Sequence, residues 1–440
     1  MSEQTPITPS VPQHHRRSAM TPKTLVFRSH SKTRNRTRVE PEQVEVEWLN
    51  PNDREKLREW DQFILESSRG HHHVLSTRLR MYLSFGFRFE VLVVRAAGQI
   101  VGGGALIHFG GRLFRICTSP VCPVVDIGQE QYAASIVDML VKRAKSSGAF
   151  LLQMHFPCSA DGNSSALLPI EWLPDLPEAK PGLAFTFGRG YAEMLWLEFP
   201  QNVNNGEWRE HMLGRFGKYH RKKIRLAERD GLEVFEASTE EELREAYSVI
   251  KNNSRLQGYT LRSWRAVKQT LIEQVASGQA VMLIARHHGE SVGAHYGVLA
   301  GRRYTYALGG TLRKHRNINA GHFLQWVAMK RARELGMAGL DLTNRTNSRI
   351  NQFKMGFHPE CISLIEPRYM VFSEPRFFLF RRLYPVVRKS LPQLLRALNF
   401  LTGVFNRSAQ PIALLLVCVN VLFSLGFDFG GMLPIVENPV

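Results

Sequence analysis

The alternation of apolar and polar residues is most regular in residues 281–357, where it predicts three strands, a helix and a fourth strand. Glycine-containing turns at 288–290 and 301–302 separate the first three apolar runs. A helix is predicted between Asn319, its cap, and Gly336, where it ends, from apolar residues at helical spacing: Phe323, Leu324, Val327, Ala328, Ala332 and Leu335. A short strand and a polar loop then lead to Phe357.

Residues 89–156 repeat this pattern. A set of residues recurs without a gap 191 positions later, with Val91, Arg95, Gly98, Val101, Gly102, Gly110 and Arg112 matching Met282, Arg286, Gly289, Val292, Gly293, Gly301 and Arg303. The helix end recurs too, since residues 141–148 match 329–336 at an offset of 188. The match predicts a tandem duplication of an α+β unit. The alternative is two unrelated hairpin-and-helix units.

Changes in composition along the chain predict four segments. Residues 1–43 lack periodicity and are expected to form a disordered, basic N-terminal segment. Residues 44–200 form the first predicted domain, which an apolar strand at 191–199 is expected to close. Residues 201–370 form the second domain, and residues 371–440 a basic and apolar tail.

Cysteine and histidine usage argues against metal chemistry and for a reduced compartment. His71, His72 and His73 are consecutive, but no cysteine or carboxylate pattern accompanies them, so we expect a partly exposed loop and no metal site. The five cysteines show no CxxC spacing, and the N-terminus has no apolar core of a secretory signal. Both observations predict a cytoplasmic location.

The formal net charge of +18 is unusual for a globular chain of 440 residues. This excess predicts an anionic partner such as RNA, a membrane surface or a phosphorylated substrate. Part of it lies on a helix predicted over residues 211–229, where one face carries Lys218, Lys222, Arg225 and Arg229 together with His211 and Arg215. That face is a candidate for contact with an RNA backbone or a phosphate; a solvated basic face is the alternative.

The tail mixes aromatic and aliphatic residues with arginines over 376–396, which predicts a helix lying in an anionic membrane interface. Residues 411–427 are mostly apolar and stand at the short limit for a spanning helix. The pattern leaves open whether they span, re-enter or lie flat. A segment that packs on the protein is the alternative to membrane association.

Several sequence segments in the second unit resemble those of the FemAB family of peptidoglycan-bridge aminoacyltransferases. They are 221–234, 254–259, 321–326, 336–342 and 353–357, in the same order and with similar spacing over about 160 residues. The resemblance implies an α+β fold of two tandem GNAT-like acyltransferase domains, with mixed central sheets flanked by helices. It also implies transfer of an amino acid from aminoacyl-tRNA to an amine of a lipid-linked or nucleotide-linked envelope precursor. No cofactor is implied beyond the tRNA co-substrate.

By position, the resemblance implies roles for individual residues. Lys354, after Phe353, matches a lysine expected near the reacting ester and the precursor phosphates. Arg255 and Tyr259 match a segment expected to contact the precursor's diphosphate end. Tyr304 and Tyr306, on the third strand, match ligand-facing positions. First-unit substrate contacts cannot be placed around residues 76–80.

The chemistry of aminoacyl transfer requires donors for an oxyanion and an acceptor for the amine proton. Lys354 is our candidate donor or phosphate clamp, with a surface lysine as the alternative. Asp341, at a strand end, is a candidate base, or it orients Lys354. Arg316 and the amides at Gly321 could hold a diphosphate at the helix start, and in ordinary acetyltransferases that start holds coenzyme A. An acyl-CoA-dependent N-acyltransferase is therefore the alternative function.

Overall fold

The structure is a computed structural model that describes residues 23–26, 43–111, 114–159, 167–175, 193–201, 203–257, 261–312, 318–343 and 348–383. Two mixed sheets backed by helices form two units of the same design. The elements of the first part of the chain are β1 Lys23–Val26, β2 Gln43–Leu49, α1 Arg54–Glu66, α2 Ser76–Arg80, β3 Arg88–Ala96, β4 Gln99–Phe109, β5 Ile116–Ser119, β6 Val124–Val125, α3 Ala133–Ser146 and β7 Leu151–Met154.

The second part contains β8 Glu193–Glu198, α4 Asn205–Arg215, α5 Lys218–Arg229, β9 Glu233–Glu236, α6 Glu240–Leu256, α7 Trp264–Ala276, β10 Ala280–His287, β11 Glu290–Ala300, β12 Arg303–Thr311, α8 Ala320–Glu334, β13 Gly339–Asp341, α9 Ser348–Met355, β14 Glu360–Ser363 and β15 Arg368–Val371. A further helix occupies 374–383. The first sheet has the order β1-β2-β3-β4-β5-β7-β15, with β6 also paired to β4, and the second has β14-β8-β13-β12-β11-β10-β9.

The two hairpins that carry the repeat have the same backbone conformation. Ala97 and Gly98 connect β3 to β4 with φ values of 47° and 79°, and His288 and Gly289 connect β10 to β11 with 50° and 78°. Two-residue turns with both central residues at positive φ match the twist of a hairpin, and glycine adopts that conformation without steric cost. Each hairpin also shifts register at the equivalent position, after Val94 in one and after Ala285 in the other. The predicted duplication is therefore confirmed.

The strand predicted to close the first unit lies in the second sheet instead. β8 pairs with β13 and β14, whereas β15, from the far end of the second unit, pairs with β7 in the first sheet. The physical reason is where the side chains are buried: Leu195 and Leu197 of β8 complete the core that also contains Trp326. Each unit thus takes one strand from beyond its own stretch of chain.

The units share a buried contact that involves α1, α2 and the residues at and just after the end of α7. The amide of Gly301 donates to the carbonyl of Ile64 at 2.9 Å. Thr77 Oγ1 donates to Gln279 Oε1 at 2.5 Å, and Gln279 donates to Asp61 Oδ2 at 3.4 Å. One apolar core runs through both units at this place, so α2 is positioned by the second unit as well as by the first.

Both ends of the chain contribute to the first sheet or its core. β1 adds four residues of the segment predicted to be disordered to the edge of the sheet, paired with β2. In helix 374–383, Phe377 and Phe380 are buried, and the Phe380 and Phe150 rings lie 5.4 Å apart. Within the described residues, no helix has the length and apolarity needed to cross a bilayer. Residues 411–427 lie outside the described residues.

Candidate functional site

The second sheet opens between β12 and β13. These parallel strands pair at three positions only, ending with Thr305 opposite Asp341. β12 continues to Thr311, while β13 ends at Asp341. The edge of β12 beyond Thr305 is therefore not paired with β13, and α9 returns to the strand ends there. This opening is the candidate active site.

Lys354 lies at this opening and is buried, with 3% of its surface exposed. Its Nζ donates to Thr343 Oγ1 at 3.1 Å. The amide of Thr343 in turn donates to Asp341 Oδ1 at 2.7 Å. The sequence prediction of a helical, partly desolvated lysine near Asp341 agrees with this geometry. Thr343, which links the two residues, was not among the predicted site residues.

The carboxyl of Asp341 is buried and lies within the field of two cations. Burial raises the pKa of Asp341 above its usual value, and the charges of Arg303 and Lys354 and the Thr343 amide act in the opposite direction. Arg303 is itself buried. Two cations against one carboxylate leave this part of the site positive, which suits an anionic or oxyanionic group of a substrate.

Thr343 adopts φ 62°, in the left-handed region. This conformation is unfavourable for a β-branched residue. It allows one short residue to place its amide toward Asp341 and its hydroxyl toward Lys354. The carbonyl of Thr343 also accepts from the amide of Leu195 at 3.2 Å, so β8 helps to hold the turn. The strain lies at the residue that joins the two candidate catalytic side chains.

Helix α9 is held from the other side by α5. His220 of α5 is buried, and its Nε2 lies 2.8 Å from the carbonyl oxygen of Phe353. The amide of Gly217 donates to the carbonyl of Gly356 at 2.9 Å. A Cβ at Gly356 would lie 1.9 Å from His220 Cε1, so only glycine lets the two elements approach this closely.

The start of α8 contributes a second histidine. His322 is T-shaped to His220, with ring centroids 4.6 Å apart. Burial lowers the pKa of His322 to about 3, and the nearby His220 and Lys223 act in the same direction. Gly321 lies against Thr311 and Phe353. The start of α8 is thus next to α9, while Arg316, predicted to bind there, lies outside the described residues.

Tyr304 and Tyr306 occupy different environments. Tyr304 is fully buried, and its hydroxyl has no partner among the described residues. Tyr306 stacks on His295, with ring centroids 4.7 Å apart. Burial lowers the pKa of His295 to about 3, and its Nε2 also lacks a partner among those residues. Tyr304, Tyr306 and His295 therefore form one aromatic group on β11 and β12, beside the opening between β12 and β13.

Arg255 lies in the last turn of α6 and is exposed. Helix α6 continues to Leu256, so Arg255 is on a helix, and the preceding Ser254 is buried. The partner position Tyr259 lies outside the described residues. The proposed role of this pair remains a prediction.

The basic helix predicted over 211–229 is two helices. Phe216 is extended and buried, and it lies T-shaped against Trp326 and Phe357, which breaks the helix before α5. His211 and Arg215 consequently belong to α4. The remaining basic face is intact on α5, where the exposed residues are Lys218, Lys222, Arg225 and Arg229. Its opposite face carries His220 toward α9.

A histidine triplet of the first unit lies near Arg303, the arginine whose charge also acts on Asp341. His71 and His72 are buried rather than exposed, and the three histidine rings stack with centroids 4.2 to 5.0 Å apart. Burial lowers the pKa of His73 to about 3, and Arg78 of α2 adds to this effect. His72 is under the influence of both Arg78 and Arg303. The triplet thus lies between the units.

The three imidazoles offer ligand atoms within 4.8 Å of one another. The nearby positive charges of Arg78 and Arg303 nevertheless disfavour the binding of a metal cation there. The absence of a metal site stays a prediction. The burial of the triplet follows from the 3₁₀ turn His72–Val74, whose Val74 carbonyl accepts from Trp60 Nε1 at 2.8 Å. No apolar pattern in the sequence signals such burial of histidines.

Comparison with known proteins shows which domain family and which fold the chain resembles. The acetyltransferase (GNAT) domain family matches residues 214–354. These residues contain α5, strands β10 to β13 with the opening between β12 and β13, and Lys354. The structure of FemX superposes with a TM-score of 0.62 at 16% identity and covers 73% of this chain and 98% of FemX. No curated protein sequence matches the chain.

Two further structures are similar at a lower level. The C-terminal domain of a putative lysylphosphatidylglycerol synthetase from Agrobacterium fabrum gives a TM-score of 0.42 at 15% identity, covering 72% of this chain and 91% of that domain. A tandem GNAT protein from the clavulanic acid biosynthesis pathway gives 0.39 at 15% identity, covering 74% and 98%. The predicted resemblance to FemAB-type proteins is confirmed at the level of the fold. Residues 214–354 match the GNAT acetyltransferase domain family, and the chain has a tandem fold similar to that of FemX, which confirms the predicted fold of two GNAT-like domains.

Proposed function

We propose that the protein is an aminoacyltransferase that moves an amino acid from aminoacyl-tRNA to an amine of a lipid-linked or nucleotide-linked cell-envelope precursor. The observation that carries the proposal is the buried Lys354 at the opening between β12 and β13, joined to Asp341 through Thr343. A fixed ammonium at such an opening can donate to the oxyanion that forms when an amine attacks an ester.

Asp341 has two possible roles in this reaction. As a base it would accept the proton that the attacking amine loses, which the raised pKa favours. As an orienting group it holds Thr343 and balances the charges of Lys354 and Arg303. The hydrogen bond of Asp341 supports the second role, because its Oδ1 already accepts from the Thr343 amide.

The exposed face of α5 supports a polyanionic donor. Lys218 and Lys222 are exposed and form no ion pair with any described residue, and Arg225 makes only a long contact of 3.8 Å with Glu210. Such a row suits consecutive phosphates of an RNA backbone. Since the opposite face of α5 contacts α9 through His220, α5 alone would separate tRNA bound there from the helix that carries Lys354.

An acyl-CoA donor is the second candidate, and the match of residues 214–354 to the GNAT acetyltransferase family favours it. In that reading, the start of α8 would hold the diphosphate of coenzyme A. The substrate amine would then belong to an envelope or exopolysaccharide precursor. The α5 face has no obvious role in this alternative.

We further propose that the protein works at the inner face of the cell membrane. In helix 374–383, the side opposite the buried Phe377 and Phe380 exposes Phe378, Leu379 and Leu383. Arg381 and Arg382 lie next to these residues in sequence, and an apolar surface flanked by arginines suits an anionic bilayer.

The test is a comparison of donors in one assay. Purified full-length protein is incubated with membranes containing envelope precursors, and with either a pool of tRNA charged with labelled amino acids or labelled acetyl-CoA. The proposal expects label from charged tRNA in the precursor fraction, abolished by ribonuclease treatment. Label only from acetyl-CoA would replace the proposal by the acyl-CoA alternative.

A further inference from the structure

A second cluster of reactive side chains lies in the first unit, away from the opening that contains Lys354. Cys117 of β5 and His108 of β4 are direct partners across the antiparallel ladder. Their side chains meet, with Cys117 Sγ 3.2 Å from His108 Nδ1. The other ring nitrogen of His108 lies 3.6 Å from Glu90 Oε2 on β3. Three adjacent strands thus align a thiol, an imidazole and a carboxylate.

The carboxylate of this cluster is fixed by a two-pronged ion pair. Arg143 of α3 donates from Nε and Nη2 to the two oxygens of Glu90 at 2.7 and 2.6 Å. This pair holds Glu90 beside the His108 ring, at the distance of an ion pair and beyond that of a hydrogen bond. The geometry therefore matches the order of nucleophile, imidazole and orienting carboxylate that activates nucleophiles in enzymes.

The imidazole beside the sulfur is kept in its charged form by its neighbours. The hydrogen bond to Cys117 and the contact with Glu90 raise the pKa of His108 to about 9 against the effect of burial. His108 therefore faces Cys117 as a cation and a proton donor, and a cationic imidazole beside a cysteine is a surrounding in which thiols react as nucleophiles.

Access to the sulfur is limited to small molecules. Cys117 itself is buried, and His108, which contacts its sulfur, has 13% of its side chain exposed. The sulfur has no contact with solvent in the folded structure. Its oxidation therefore requires that His108 move aside to admit a molecule as small as hydrogen peroxide.

We propose that Cys117, His108 and Glu90 form a peroxide-reactive thiol site. The Cys117 thiolate attacks one oxygen of hydrogen peroxide, an S–O bond forms and the O–O bond breaks. The sulfur is oxidised to sulfenic acid, and the peroxide is reduced to water. The His108 imidazolium gives its proton to the leaving hydroxide, so charge and atoms balance.

The other described cysteines provide controls within the same chain. Cys361 is exposed and stands for an accessible thiol without an imidazole partner among the described residues. Cys122 and Cys158 are buried, and burial raises the pKa of each to about 12. If exposure alone decides the rate of oxidation, Cys361 reacts faster. If the contact with His108 decides it, Cys117 reacts faster.

The experiment treats folded full-length protein with hydrogen peroxide at pH 6.5 for a series of times, removes the peroxide, unfolds the protein in dimedone so that every sulfenic acid is trapped, and locates the label by peptide mass mapping. We expect Cys117 to be labelled at least tenfold faster than Cys361, and His108→Asn to remove this advantage. Equal or slower labelling of Cys117 in the folded wild type would overturn the proposal. So would an unchanged rate in a folded His108→Asn protein.

Discussion

The imidazole of His220 lies 2.8 Å from the carbonyl oxygen of Phe353, the residue immediately before Lys354. Together with the bond from the Gly217 amide to the Gly356 carbonyl, this contact fixes the α9 end to the start of α5. The exposed basic face and the buried lysine therefore belong to one rigid assembly. A ligand on α5 can influence Lys354 without touching it.

Gly356→Ala should disrupt this assembly. Its Cβ would lie 1.9 Å from His220 Cε1, so His220 or α9 must move, with an expected loss of about 1–3 kcal/mol in the free energy of unfolding. We expect the transfer rate to fall at least tenfold. Urea unfolding and the transfer assay measure the two effects. Gly214→Ala is the matched control, because nothing lies within 4 Å of that position and the helical alanine should be neutral or stabilising.

Thr343 allows strain and function to be separated. Thr343→Gly removes the cost of a side chain at φ 62°, about 1–2 kcal/mol, but it also removes the hydroxyl that accepts from Lys354. We expect an unchanged or higher melting temperature with a transfer rate reduced about tenfold. Thr343→Ser keeps the hydroxyl and should stay within about threefold of wild type. A fully active Thr343→Gly protein would exclude a role for this contact.

The buried Asp61 should make stability depend on pH at the contact between the units. Burial raises the pKa of Asp61 to about 6 from 3.8. The folded state therefore binds the Asp61 proton more tightly than the unfolded state does. As the pH rises from 4 to 6, the unfolding free energy of the wild type falls because of this group, and above pH 6 this loss stays constant. Asp61→Asn should remove this cost. The unfolding free energy of the variant minus that of wild type should rise by about 3 kcal/mol across this window and then level off.

That difference can be followed by urea unfolding at pH 4, 5, 6 and 7.5. A constant offset caused by lost hydrogen bonds to Ser76 would shift all four values equally and leave the slope intact. If the unfolding free energy of the variant minus that of wild type falls between pH 4 and pH 6, the raised pKa of Asp61 is contradicted.

Replacing Lys218 and Lys222 by alanine should weaken binding of tRNA and reduce its salt dependence. Each phosphate contact contributes about 0.9 to the slope of log affinity against log salt concentration on double-stranded nucleic acid, so the double variant should lose about two. Lys142→Ala is the control, because this lysine is exposed on α3 of the first unit. Equal slopes in both variants would exclude α5 as the contact surface.

The sequence predicted the repeated part of the fold because its signals are local. Gly98 and Gly289 mark turns that only a few residues can form, and Gly148 and Gly336 end equivalent helices with φ 81° and 73°. Lys354 and Asp341 were found for the same reason, at the end of a recognisable strand and helix. These features need no knowledge of distant partners.

Other features depend on contacts that the local pattern does not contain. The apolar run at Met194–Leu197 predicts a buried strand, but its pairing with β13 is set about 145 residues later in the chain. The break at Phe216 follows from its packing on Phe357. Thr343 and His220 act through the positions of Lys354 and Phe353, so only the folded chain shows their importance.

The central claim is that Lys354 acts on the reacting group, and single-turnover transfer from charged tRNA tests it most directly. Wild type is compared with Lys354→Ala and Lys354→Met at saturating donor and acceptor, with melting temperatures measured to confirm folding. We predict that both variants bind tRNA within about threefold of wild type and transfer at least tenfold more slowly, a loss of about 1.4 kcal/mol in transition-state stabilisation. Transfer at the wild-type rate by either folded variant would contradict the account.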